Sequence, residues 1–236
     1  MALLRRHLTA HPDALLERRL LVRLLGATGQ IGLAEREAEA LAERLGPGSP
    51  VPWIELGHAH ELAHQYEEAL ACFDRAAQVA PGDPVGPRTG GLRAAAWGEL
   101  DWAEPRLEES RRRDPRDARV WHALGLIHLH RGRFDEAGAA YRAGLRADPR
   151  ALDNHIGLAT LALLRDDSAT ALHEYDTILK IEPRFVDAHL GRSWALLKLG
   201  RLDEAERALE RAEELGASPG VIRRQREQLR ARRSAR

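Results

Sequence analysis

Five prolines, Pro47, Pro81, Pro115, Pro149 and Pro183, stand 34 residues apart, and no other feature constrains the chain as much. A unit of that length has room for two helices and a turn, but it cannot bury an apolar stripe by itself. Each unit must therefore lie against others like it, which marks an all-α helical-repeat array. Residues 119–149 show the unit most plainly. Trp121, Leu124, Gly125 and His128 recur at helical spacing, and the Arg131-Gly132-Arg133 break follows. Phe134 then leads into a second helical pattern of Ala137, Tyr141, Gly144 and Leu145.

Projected along the chain, the period gives six units, 15–49, 50–83, 84–117, 118–151, 152–185 and 186–219. Residues 1–14 read as a half-repeat or capping helix with Leu3, Leu4 and Leu8 on one face and Pro12 at its end. Residues 220–236 read as an Arg-rich closing helix (Val221, Ile222, Leu229) that frays into Arg232-Arg233-Ser234-Ala235-Arg236. The unit 84–117 stands out as the weakest and as a candidate bend. Gly86, Pro87, Gly90 and Gly91 crowd its first helix, and Pro105 removes a hydrogen bond from its second. Asp135 and Asp203 are placed to accept backbone N–H bonds at the start of their second helices.

Two units carry a fuller signature: Trp53, Leu56, Gly57, Ala69, Phe73, Ala76 and Pro81, and again Trp121, Leu124, Gly125, Ala137, Tyr141 and Pro149. This pattern resembles the tetratricopeptide repeat over residues 15–219. It departs from that template in the first unit, in 84–117, and at His155 and His189, which stand where Trp is usual. The resemblance implies a right-handed superhelical solenoid of antiparallel helix pairs. On the residues alone, Gly57, Gly91, Gly125 and Ala159 share one site where a small side chain lets two helices approach. Trp53 and Trp121 are expected to fill the space between the helices of their own units. Truncation to Ala there should destabilise by about 3–5 kcal/mol if the ring is fully buried.

Composition fits an array with much exposed surface: 44% apolar and 31% charged residues. The 36 basic and 36 acidic residues balance, but residues 220–236 hold seven Arg and one acid, about +6, which leaves about −6 upstream. The lone Cys72 excludes an internal disulfide framework and fits a reducing compartment. The N-terminus has no signal-peptide pattern, and no apolar run is long enough to span a bilayer, so the expectation is a soluble cytoplasmic protein.

The most catalytic-looking string is His60-Glu61-Leu62-Ala63-His64, a formal HExxH that on a helix would present two histidines to zinc. It lacks a third ligand, and in the repeat frame His60 takes a buried aromatic position while His64 falls near the turn. Repeat packing is the expected role. Cys72 has no basic neighbour arranged to activate it. Gly86–Gly91 lacks the Lys-Ser/Thr and the preceding strand of a phosphate loop. No active site, metal site or cofactor is expected.

What remains is a surface. The resemblance places a concave groove along the first helix of each unit. Ile54, His58 and Glu61 fall there in one unit, and Arg88 and Leu92 in the next. They are followed by His122, Leu126, Leu129 and His130, by Ile156, Thr160 and Leu163, and by Leu190, Trp194, Leu197 and Lys198. This mostly aliphatic set suits a peptide or protein segment, with the histidines, Arg88 and Lys198 selecting polar features. No Asn occurs in it, which disfavours the carboxylate-clamp subclass that grips acidic chaperone tails. The expectation is a non-enzymatic scaffold or adaptor. The alternative is contact with nucleic acid or an anionic surface through Arg111-Arg112-Arg113, Arg116, Arg119 and the C-terminal arginines.

Overall fold

The computed structural model describes residues 2–11 and 13–234, so the expectation for Pro12 lies outside the described residues. These residues form fourteen α-helices, with no strand among them. The chain divides into two compact units between Pro115 and Arg116.

The first unit holds α1 (Ala2–Ala10) and three helix pairs: α2 (Leu15–Ala27) with α3 (Ile31–Leu45), α4 (Val51–Leu62) with α5 (Tyr66–Val79), and α6 (Val85–Ala96) with α7 (Leu100–Arg113). The second holds three more pairs and a closing helix. They are α8 (Ala118–His130) with α9 (Phe134–Ala147), α10 (Leu152–Leu164) with α11 (Ser168–Ile181), and α12 (Val186–Lys198) with α13 (Leu202–Glu214), closed by α14 (Pro219–Ser234).

The phased prolines act as stops. Each stands two residues beyond the end of α3, α5, α7, α9 or α11. The residue before proline is pushed out of helical geometry, as at Asp114 (φ −137°, ψ 94°) and Asp148 (φ −140°, ψ 103°). The turns between partners also repeat. His64, Gly98, Gly132, Asp166 and Gly200, 34 residues apart, all have positive φ. The following N–H reaches back to the carbonyl five residues earlier, as in Gln65 to His60 (2.9 Å) and Arg133 to His128 (2.8 Å). This closure satisfies carbonyls that a helix end otherwise leaves open.

Capping falls on other aspartates than those expected. Asp117 accepts from Arg119 N at 3.0 Å and Asp167 from Thr170 N at 3.0 Å. Asp135 and Asp203 lie inside the first turns of α9 and α13, where they meet the positive dipole and bind Arg165 (2.6 Å) and Arg233 (2.8 Å). The reason is phase: Arg133 and Arg201 occupy the N-cap positions.

Aromatic packing also differs from the reading of the tryptophans. Trp53 and Trp121 are half-buried, and Arg75 lies 5.5 Å from the Trp53 ring centroid. The fully buried rings are Phe73 and Tyr141, with Tyr175 also buried at 8% exposure. In the second unit α14 contributes Ile222 and Leu229 to the core, and its helix continues through Arg232, Arg233 and Ser234 where fraying was expected. Ala235 and Arg236 lie outside the described residues. The glycines of α6 lower helix propensity, yet they are close-approach sites. A Cβ at Gly86 would lie 2.5 Å from Ala77 N, and one at Gly91 2.7 Å from Leu107 Cγ. Pro87 sits in the first turn of α6, where an N–H would have no intrahelical partner.

Candidate interaction surface

In the first unit, Ile54, His58 and Glu61 lie on α4, and Arg88 and Leu92 on α6, all half-buried. His58 meets the Phe73 ring edge-on at 5.3 Å. Burial lowers its imidazole pKa, against the pull of Glu61, whose Oε2 is 3.3 Å from Nδ1. Glu61 is not a spare groove charge. It accepts from Arg93 Nε at 2.7 Å and from the Trp97 indole at 3.1 Å. Burial pushes its carboxyl up, but these donors and His58 outweigh that and hold it below the usual carboxylate range.

Behind that surface the sequence reading missed Glu55. It is 1% exposed and is clasped by Arg19 at 2.8 Å and by Arg23, both from α2. The two arginines stand 32 and 36 residues upstream, so no local motif announces the contact.

In the second unit, α8 carries His122, Leu126, Leu129 and His130. Leu126 is 46% exposed, a large apolar side chain left in solvent. His122 lies 6.0 Å from the Tyr141 ring, and burial lowers its pKa despite the opposing charge of Asp153. Ile156, Thr160 and Leu163 are half-buried on α10. On α12, Leu190 and Trp194 are half-buried, Lys198 is exposed, and Leu197 at 8% belongs mainly to the core.

Lys198 Nζ stands 6.0 Å from the Trp194 ring centroid and 3.3 Å from Asp166. These residues face a cleft of about 770 Å³ whose other wall is Gln228, Ala231 and Arg232 of α14. The α14 wall was not anticipated.

The histidines at the Trp position have a common job. His155 Nε2 donates to the Pro149 carbonyl at 3.1 Å and His189 Nε2 to that of Pro183 at 3.0 Å. Each imidazole thus ties its helix to the proline that ended the preceding one.

The HELAH string does not form a metal-binding face. α4 ends at Leu62, His64 is exposed with φ 60°, and buried His60 bonds Gln65 at 2.8 Å. Among the described residues no group of three His, Cys, Asp or Glu side chains is placed to hold a metal. Burial pushes the Cys72 thiol up to about 11, away from the reactive thiolate.

The Arg111–Arg113 run is engaged within its own unit. Arg111 and Arg112 pair with Glu108 and Glu109. Arg113 Nη1 lies within hydrogen-bonding distance of the Ala77, Ala80 and Asp83 carbonyls. No helix among the described residues is long and apolar enough to cross a membrane.

Descriptions of the tetratricopeptide repeat match residues 50–83, 89–151 and 156–221, well over half of the chain. The anaphase-promoting complex subunit 3 of Schizosaccharomyces pombe is 25% identical over 133 residues, covering 55% of this chain and 20% of that protein. The chain therefore spans about a fifth of this relative. Among solved structures, MamA has a TM-score of 0.62 at 18% identity, covering 67% of this chain and 93% of that one. YrrB, described as a TPR protein with an unusual peptide-binding site, has a TM-score of 0.63 at 13% identity, covering 79% and 96%. At these identities the structural likeness concerns the fold.

Proposed function

Because the chain belongs to the tetratricopeptide repeat family, we propose that it is a non-enzymatic scaffold that binds a segment of another protein along the first helices of its repeats. The observation that carries this reading is Leu126, an exposed leucine on α8, which also carries half-buried Leu129, while the contacting helix α10 carries half-buried Ile156 and Leu163. Apolar side chains left in solvent favour an apolar partner, because covering them releases ordered water. His122, His130 and Lys198 supply polar selection beside them. The name of the S. pombe relative, a subunit of a multiprotein complex, is consistent with a role in assembly.

The test is affinity capture from the native cell with wild type and Leu126→Glu. A charge placed in an apolar interface loses its hydration without a partner, so the protein partners should drop away at unchanged fold stability. An identical partner list sinks the groove reading. Recovery of nucleic acid instead, lost with rising salt and on deletion of residues 230–236, would establish phosphate binding by the arginines.

A further inference from the structure

We propose that the turn between α4 and α5, together with the end of α6, forms a second docking site, specific for a partner segment that presents an arginine side chain. This rests on the reading of the chain as a protein-interaction scaffold, but the residues that receive the guanidinium are none of those assigned to the groove. A pair of rings forms the apolar part of the site. Tyr66, the first residue of α5, is 39% exposed, and its ring centroid stands 4.6 Å from that of half-buried Trp97, which follows α6. The indole is fixed in place, because it donates to Glu61 Oε1 at 3.1 Å, and Arg93 already neutralises that carboxylate from 2.7 Å. The His64 ring meets Tyr66 edge-on at 6.2 Å, and Leu62, at the same turn, is 48% exposed.

The charges beside these rings have one sign. Residues 62–68 and 96–100 contain Glu67, Glu68 and Glu99 and no Lys or Arg. All three acids are exposed, with no ion pair or side-chain hydrogen bond among the described residues. Their field draws a cation towards the rings.

Other repeats show what such an acid takes as its partner. Glu67, Asp135 and Asp203 each occupy the second position of their helices, α5, α9 and α13. Asp135 pairs with Arg165 at 2.6 Å and Asp203 with Arg233 at 2.8 Å, in both cases an arginine 30 residues further along. The residue 30 places beyond Glu67 is Trp97. Where two repeats supply a guanidinium to this carboxylate, the repeat of Tyr66 supplies an aromatic face and leaves the carboxylate open. An arginine from another molecule restores the ion pair with Glu67 and stacks its planar cation on the rings. The same stacking occurs elsewhere in this unit, where Arg75 lies 5.5 Å from the Trp53 ring centroid.

The experiment selects short randomised peptides displayed on phage against the immobilised chain. The synthetic consensus peptide, and a version with alanine in place of its arginine, are then measured on wild type, Glu67→Lys, Trp97→Arg and Leu126→Glu. Glu67 is exposed, and Trp97→Arg installs the residue found at the equivalent Arg165, so both variants should fold, which thermal melting checks. If the indole proves necessary for folding, Glu67→Lys decides alone. The expected consensus contains arginine. Its affinity should fall about tenfold or more on Glu67→Lys, on Trp97→Arg and on loss of the arginine, and stay within about twofold on Leu126→Glu. A consensus without arginine, or equal affinity for wild type and Glu67→Lys, overturns the proposal. Loss on Leu126→Glu alone overturns it while upholding the groove, and no enrichment of any peptide counts against both. Sedimentation of the free chain covers the remaining occupant, a second copy with its Arg-rich α14. A dimer that Glu67→Lys dissociates would assign the site to self-association and likewise overturn the proposal.

Discussion

Gly125 lies so close to the ring of Tyr141 that a Cβ on the glycine would stand 2.4 Å from Cε1. Gly157, on α10, approaches the same ring from the next repeat, where a Cβ would lie 2.5 Å from Cε1. Tyr141 is fully buried between them and cannot swing into solvent. Gly125→Ala should therefore destabilise the second unit by about 1–3 kcal/mol, read as a lower urea midpoint at unchanged m. Shrinking the ring should restore part of the loss, so Gly125→Ala/Tyr141→Leu should show clear non-additivity in a double-mutant cycle. Additive effects would mean that the glycine and the ring are not in steric register.

This contact shows how far the sequence could be read. The helix ends were legible because Pro and Gly act locally: proline excludes helical geometry before it, and the turn needs positive φ. The small-residue site at Gly125 was legible too, since it recurs with the period. The ring it serves was less so. Trp53 and Trp121 are the larger side chains, yet Phe73 and Tyr141 fill the interior while the indoles stay half-exposed. Size favours burial only where the surrounding helices leave room, and that room is a property of packing. Contacts across repeats, such as Arg93 to Glu61 or Arg106 to Asp74, share a spacing of 32 residues, but charged residues are so many that this spacing by itself does not select the pairs.

The Tyr141 hydroxyl supplies a second prediction. It is buried without a hydrogen-bond partner among the described residues, and burial pushes its pKa up to about 12. A buried donor left unsatisfied weakens the fold by its lost hydration. Tyr141→Phe should thus be neutral or stabilise by about 1 kcal/mol in chemical denaturation, against the usual trend for core substitutions. A loss above about 1 kcal/mol would show that the hydroxyl has a partner, such as a bound water.

Glu55 calls for the opposite experiment on each side of its ion pairs. The carboxylate is 1% exposed, whereas the Arg19 and Arg23 side chains are 39% and 45% exposed. Removing both arginines leaves a buried charge uncompensated, so Arg19→Ala/Arg23→Ala should destabilise the first unit by about 2–4 kcal/mol. Glu55→Met removes the buried charge itself, and the arginines can extend into water, so its effect should stay within about 1 kcal/mol. Thermal melts of the two variants in one buffer give the comparison. Equal losses would mean that Glu55 matters by its shape alone.

The buried histidines predict how stability follows pH. Burial lowers the pKa of His122, with Asp153 only partly opposing it, and burial together with the Arg23 charge lowers that of His58 against Glu61 and Glu55. A lowered pKa means that near pH 6.5 and just below, the unfolded chain takes up protons that the folded chain refuses. Their contribution is therefore fully present above about pH 6.5 and is lost as pH falls through that value towards the folded pKa. Glu61 acts in the same direction but in a lower window, below its ordinary value of 4.5. His122→Gln is the cleaner probe, because His58 also touches Glu61. It should flatten the fall in melting temperature between about pH 7 and pH 5, leaving the steeper acid loss below pH 4.5 in place. If the slope between pH 7 and 5 is the same in wild type and His122→Gln, the imidazole titrates freely in the folded chain and is not held neutral by its burial against Tyr141.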